Sequence, residues 1–230
     1  PMHQRGIRMP EGRNPAAAVD RYAESAPEIR YLTLPQIDEQ LAALADRQQL
    51  QAMVATFIYA GLRREEALWL TLDDVDLRPG RVGLIHVRAK TVDGEFWQPK
   101  SKKNRSIPVS DDLHHYLGSY TRRPARGNWY FPSPAGLRWD PDDFATDLRI
   151  ANRAAGIVSG CLEYRHTFGS QLAQAGVSLY KISRLMGNSP EICRRHYAAL
   201  AHEELIHEVA FAPCPRTMLT ATPLAAHTAG

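Results

Sequence analysis

Four places in this chain of 230 residues carry side chains whose types and spacing suit chemistry on an anion. In Gly61-Leu62-Arg63-Arg64-Glu65-Glu66 a glycine break puts Arg63 at the start of a helix, where unpaired backbone N–H groups already favour negative charge. Glu66, three residues on, shares that helix face and is placed to hold the Arg63 guanidinium. A capped helix with surface ion pairs fits the same residues. The second place is Lys100-Ser101-Lys102-Lys103-Asn104-Arg105, four cations in six residues between two strand signals. It reads either as a finger reaching toward a phosphate backbone or as a solvated turn. The third is Arg165 in Leu162-Glu163-Tyr164-Arg165-His166-Thr167-Phe168, where the i−3 and i−4 neighbours, Leu162 and Cys161, offer its charge no partner. An arginine without a partner on its own helix leans toward binding an anion. The fourth is Met186-Gly187-Asn188-Ser189-Pro190 followed by Arg194-Arg195-His196-Tyr197. A tyrosine on a helix is ordinarily core or interface. His196, His202 and His207 are spaced by six and five, which fits no single helical face, so no metal site is expected.

The elements that must position these groups follow from the hydrophobic pattern. Thr33 with Gln36 forms a capping-box signal ahead of Ile37, Leu41 and Leu44, predicting a helix over about 34–46. Met53 to Ala60 is apolar nearly all round and stops at Gly61, as a buried helix ended by glycine does. An exposed-faced helix is expected from Arg63 to about Leu70. Strand signals at Val82–Val87, Phe96-Trp97 and Ser106–Val109, with the turn Asp93-Gly94, predict a small three-stranded antiparallel sheet. Helical pattern returns at Asp111-Asp112 and at about 141–155, 161–175, 178–186 and 190–200. The fold class is therefore mainly α with a small antiparallel β-sheet. Residues 1–29 read as a linker or arm, 30–211 as the domain, and 212–230, rich in Pro, Thr and Ala, as a disordered tail.

Composition narrows the class. Hydrophobic residues are 44% and charged residues 23%, near globular averages, and no apolar run approaches the roughly 18 residues of a membrane span. Cys161, Cys193 and Cys214 are odd in number and lack C-x-x-C spacing, and the N-terminus has no apolar signal stretch, which fits a reducing, cytoplasmic setting. The net charge of +3 is uneven: setting aside the neutral first 29 residues and the −2 of residues 198–230 leaves +5 on residues 30–197. An anionic partner would bind that block, although the excess is modest.

Taken in order, these segments resemble the catalytic domain of the tyrosine recombinases, the phage-integrase family. Tyr31-Leu32-Thr33 and then Ala60-Gly61-Leu62-Arg63-Arg64-Glu65-Glu66 resemble the first arginine box. Lys100, with Arg105 five and Pro108 eight residues later, is similar in register to the β-hairpin lysine. Arg165-His166-Thr167-Phe168 followed by Gln174-Ala175-Gly176-Val177 resembles the second arginine box. Tyr197 lies nine residues past Asn188, the place of the nucleophile. The resemblance covers about 31–210 and implies an enzyme that cuts and rejoins DNA strands through a 3′-phosphotyrosyl link, with no cofactor. Double-stranded DNA would be the partner, with self-association on it as a tetrameric synapse and a nucleoid location.

The site implied is Arg63, Lys100, Arg165, Asn188 and Tyr197, supported by Glu66, with Lys102, Lys103, Arg105 and Arg194 on DNA. Arg63 and Arg165 would grip nonbridging oxygens, Lys100 would protonate the leaving 5′ oxygen and Tyr197 would attack. Two positions depart from the family pattern. Leu162 stands where it has a histidine, and Asn188 where it has His or Trp. Leucine moves no proton, whereas Asn188 still donates a hydrogen bond to phosphate. Losing one acid–base group costs about 10²–10⁴-fold, so a slow enzyme is expected, with Cys161, His166 and Glu163 as stand-ins. A catalytically weakened DNA-binding module and a helical interaction protein with Tyr197 in its core are the alternatives. Residues 1–30 leave no room for a DNA-clamping domain, and Glu203 to Val209 reads either as a short helix packing onto a neighbouring subunit or as a frayed end.

Overall fold

The computed structural model describes residues 29–201. The arm expected before residue 29, the tail over 212–230 and the segment Glu203–Val209 lie outside the described residues, as do His202 and His207.

The chain is organised around α2 (Gln48–Ala60), in which Met53 to Ile58 are all buried. A helix apolar on every side must be surrounded. On one side it meets α6 (Cys161–Gln174), and on others α4 (Asp111–Ser119) and α1 (Leu34–Ala42). Phe57 of α2 meets Phe144 of α5 (Pro141–Ala154) with ring centroids 6.1 Å apart. Full burial of one such side chain contributes about 1.5–3 kcal/mol. The helix ends at Gly61, whose φ of 61° reverses the chain into the short α3 (Arg64–Leu68).

Two further helices, α7 (Leu179–Met186) and α8 (Pro190–Tyr197), pack on each other and on α6. They form a separate small core of Phe168, Ala173, Ile182, Met186, Cys193 and Tyr197. Ser178 and Ser189 cap them, each hydroxyl accepting a backbone N–H of the first turn, at 3.4 and 3.2 Å.

Three expectations are corrected. The capping box at Thr33 and Gln36 forms, with the Thr33 N–H donating to Gln36 Oε1 at 2.9 Å, but α1 stops at Ala42 rather than 46 because the chain turns through 43–46 to start α2. α3 is not exposed-faced: Glu66, Ala67 and Leu68 are buried. The sheet has other members than expected. β2 (Leu84–Val87) lies between β1 (Val75–Asp76) and β5 (Arg105–Pro108), all antiparallel. Phe96-Trp97 belongs instead to β4 (Glu95–Trp97), which folds back across Asp93-Gly94 onto β3 (Lys90–Val92) as its own hairpin. Two anchors hold that hairpin away from β2. Trp97 stacks on Trp69 at 5.6 Å, and Lys90 Nζ bonds the buried Asp74 carboxylate and the Trp69 carbonyl. β5 is thereby free to pair with β2, which brings Arg105 to the end of the sheet nearest α7.

Candidate active site

Three arginines from distant parts of the chain meet one carboxylate. Glu66 closes the first turn of α3 by accepting the Arg63 backbone N–H at 2.8 Å, and it also takes the Arg63 guanidinium at 2.9 Å. Its two oxygens receive a bidentate fork from Arg105 at 2.9 and 2.6 Å, while Arg165 stands at 4.0 Å. Burial pushes the Glu66 carboxyl up, but the Arg105 hydrogen bonds and charge, the Arg63 N–H and Arg165 outweigh it and hold the group below its ordinary value.

Further guanidinium donors meet a helix end. The last carbonyls of α7 have no partner within the helix and carry its negative pole. Arg105 Nε donates to the Leu185 carbonyl at 2.8 Å, Arg165 Nη2 to Met186 at 2.8 Å and Arg63 Nη2 to Gly187 at 3.0 Å. Arg165 also donates to the Gly61 carbonyl at the end of α2. Gly187 is needed for close approach: a Cβ there would stand 2.8 Å from Arg105 Nη1 in a backbone at φ 65°. Arg165, which has no partner on its own helix turn, thus finds all of them through the fold. It is 7% exposed, and burial, with Arg63 nearby, lowers its pKa to about 10, still cationic at neutral pH.

Asn188 sits where the two arginine forks converge. Its Oδ1 accepts from Arg63 Nη2 at 2.6 Å and from Arg165 Nη2 at 3.0 Å. The expected donor is thus turned with its acceptor toward the arginines. An oxygen held between two guanidinium groups marks a place for a nonbridging phosphate oxygen.

Tyr197 ends α8 with its ring against α6. It is 1% exposed, and Gly169 makes the seat, since a Cβ on that residue would lie 2.4 Å from Tyr197 Cζ. The hydroxyl is hydrogen bonded to His166 Nδ1 at 3.0 Å. Burial pushes the phenol up to about 12, partly offset by the charge of Arg165. His166 is held below the ordinary imidazole value by burial, then by His196 and Arg165.

All five expected catalytic residues open onto one cleft of about 1390 Å³, lined by Arg63, Lys100, Arg165, Asn188 and Tyr197. That exceeds the roughly 300–1,000 Å³ of small-molecule pockets and suits a polymer. Among the described residues no three His, Cys, Asp or Glu side chains gather to hold a metal, and no helix is long and apolar enough to cross a membrane.

A model of the phage integrase family matches residues 30–204. The chain belongs to that family. Among phage integrase relatives, tyrosine recombinase XerD of Proteus mirabilis is 28% identical over 184 residues, covering 76% of this chain and 53% of XerD. The putative integrase/recombinase y4rA of Sinorhizobium fredii is 28% identical over 142 residues, 60% of this chain and 32% of that protein. The chain spans about half the length of the XerD relatives it matches. Of solved structures, the catalytic domain of bacteriophage HP1 integrase is 25% identical, with TM-score 0.57 over 79% of this chain and 94% of that one. The Tn1549 transposon integrase in complex with transposon right end DNA shares the fold at 19% identity, with TM-score 0.64 over 88% and 71% of the two chains.

Within this integrase fold the expected DNA-contacting residues separate. Lys103 lines the cleft with Lys100, both on the turn between β4 and β5, and neither side-chain ammonium has an ion pair or hydrogen bond among the described residues. Lys102 lies on the same turn at φ 54° but outside the cleft lining. Arg194 is exposed on α8, paired with Glu191 at 2.7 Å, and also outside the lining. Arg105, expected at an exposed tip, is drawn inward because Glu66 and the α7 carbonyls offer charge and acceptors that water would otherwise supply. Leu162 lies at the rim of the cleft, 64% exposed. His166 appears in the sequence only as a stand-in for a missing histidine. The small pair Gly169-Ser170 on the same helix, leaving a gap one turn below residue 166, is the signal that something packs there.

Proposed function

We propose that this chain is the catalytic part of a site-specific DNA recombinase that cuts and rejoins strands through a 3′-phosphotyrosyl intermediate. The observation that carries the reading is the convergence of Arg63 and Arg165 on one oxygen, Asn188 Oδ1, in the cleft that also holds Lys100 and Tyr197. A scissile phosphate in that place would have its nonbridging oxygens in the two forks, and the charge of a five-coordinate transition state would be met by fixed donors. Tyr197 attacks phosphorus, the bond to the 5′ oxygen breaks, and Lys100 supplies that oxygen with a proton. Because the tyrosyl link conserves the phosphodiester, rejoining needs no nucleotide, and the reaction as written balances without a metal. The site-specific DNA duplex is the partner, with several copies assembling on it. The DNA named with the Tn1549 integrase agrees with this choice.

A pool of nicked duplexes of randomised sequence tests the reading. A nick beside the cleavage point lets the released 5′-hydroxyl strand diffuse away, so adduct accumulates and the linked peptide is identified by mass spectrometry. Linkage at residue 197 is expected. No adduct, or linkage elsewhere, would sink the assignment.

The role of Lys100 is checked separately with a 5′-bridging phosphorothiolate, whose sulfur leaves without being protonated. Lys100→Ala is expected to lose about 10²–10⁴-fold on the oxygen substrate and to recover on the sulfur one. If Lys103→Ala shows that pattern instead, the acid lies three residues further along the turn.

A further inference from the structure

The group in contact with the Tyr197 hydroxyl is His166 Nδ1, at 3.0 Å. We propose that His166 is the catalytic base that takes the proton of Tyr197, a role that the side chain at position 162 cannot fill. The inference rests on Tyr197 being the nucleophile.

The surroundings fit a base rather than a structural ring. A proton acceptor must be neutral before the step and within hydrogen-bond reach of the proton it takes. His166 is kept neutral by burial and by two neighbours, His196 on α8, with ring centroids 5.5 Å apart, and Arg165 on its own helix. The opposing charge is Glu163, one turn earlier on α6, whose Oε2 accepts the Gly160 N–H at 3.1 Å. With its proton on Nε2, the ring presents the Nδ1 lone pair to the phenol. The phenol needs such help because burial raises its pKa to about 12. The other candidates are worse placed. The Cys161 thiol is itself pushed by burial up to about 11, and neither it nor Glu163 has a hydrogen bond to Tyr197. Leu162 has no group to offer.

The Oη–H bond breaks and its proton passes to Nδ1, giving an imidazolium. Oη forms the bond to phosphorus as the phosphorus–O5′ bond breaks, and the 5′ oxygen takes a proton from the Lys100 ammonium. In rejoining, the 5′-hydroxyl attacks, Lys100 recovers its proton, and the imidazolium returns its own to the departing phenolate. No oxidant, reductant or further reactant is needed.

Single-turnover adduct formation by the full chain on a nicked duplex recovered from the randomised pool reads this out. His166→Ala is expected to slow it about 10²–10⁴-fold, and free imidazole, diffusing into the cleft, to restore at least about tenfold while leaving the native chain unchanged. His166→Asn places an amide near the former Nδ1 and keeps a hydrogen bond to the phenol but takes no proton, so it should stay slow. An Asn variant as fast as the native chain would overturn the inference, because the histidine would then only position the ring. So would a folded Ala variant at the native rate, or one that imidazole leaves slow. If His166→Ala does not fold, His166→Asn alone decides the matter. Failure of the native chain to form adduct at Tyr197 would instead remove the reading on which this rests.

Discussion

Tyr197→Phe is expected to eliminate covalent adduct while leaving the fold and DNA affinity close to those of the native chain. The substitution removes one oxygen from a ring that is 1% exposed and packed over Gly169, so the ring's contacts persist. Its one hydrogen bond, to His166, is lost. A neutral hydrogen bond contributes about 0.5–1.5 kcal/mol, too little to unfold a domain of this size. Disappearance of the adduct would therefore be chemical in origin, since phenylalanine has no nucleophile. Denaturing gels for adduct, mobility shift for binding and a thermal melt, run on one preparation, separate these effects. Adduct surviving in the variant would assign the nucleophile to another residue. Lost binding with a lowered melt would mean that the tyrosine serves the small core.

Glu66→Gln is expected to cost about 3–5 kcal/mol of stability, the usual penalty for removing one partner from a buried ion cluster. Glutamine keeps the volume but leaves Arg63, Arg105 and Arg165 grouped with no carboxylate between them. For a chain of this length that corresponds to a melting temperature lower by roughly 10 °C. The pH dependence has a definite sign. The folded-state pKa of Glu66 lies below its ordinary value of 4.5, so its contribution is present above that value and fades as pH falls through the folded-state pKa. The native and variant stability curves should accordingly converge in acid. Sulfate or phosphate should recover part of the variant's loss, because either anion can take the place of the carboxylate. A change under about 1 kcal/mol at neutral pH would mean that the α7 carbonyls alone hold the arginines.

Much of this was legible in the chain because it depends on local rules. The capping signal at Thr33, the glycine stop at Gly61 and the 3.6-residue pattern, including the segments at about 178–186 and 190–200, place α1, α2, α7 and α8 within a few residues. The five expected catalytic residues, which line one cleft, came from the resemblance of the ordered segments to the phage-integrase family. What could not be read locally was set by contacts across the chain. Phe96-Trp97 has the composition of a sheet strand, but its partner is decided by Trp69, some 28 residues away, on which Trp97 stacks. Arg105 carries the same charge as Lys102 and Lys103, and only the buried Glu66, 39 residues earlier, separates it from them. Asn188 offers either a donor or an acceptor, and the choice depends on two guanidinium groups brought from α3 and α6.

The inward turn of Arg105 bears on how DNA affinity should respond to ionic strength. Cations facing water are the ones that replace the sodium or potassium condensed around a duplex, and each phosphate so neutralised adds about −0.9 to the slope of log K against log salt. Arg105 is already neutralised by Glu66 and shielded, with 8% of its side chain exposed, so it has little to release. Lys100 and Lys103 have no ion pair among the described residues and would each contribute a full increment. Titrations over a range of potassium chloride should show the Lys100→Ala, Lys103→Ala double variant flatter by about two units, whereas Arg105→Gln, if it stays folded, weakens binding at every salt concentration and leaves the slope where it was.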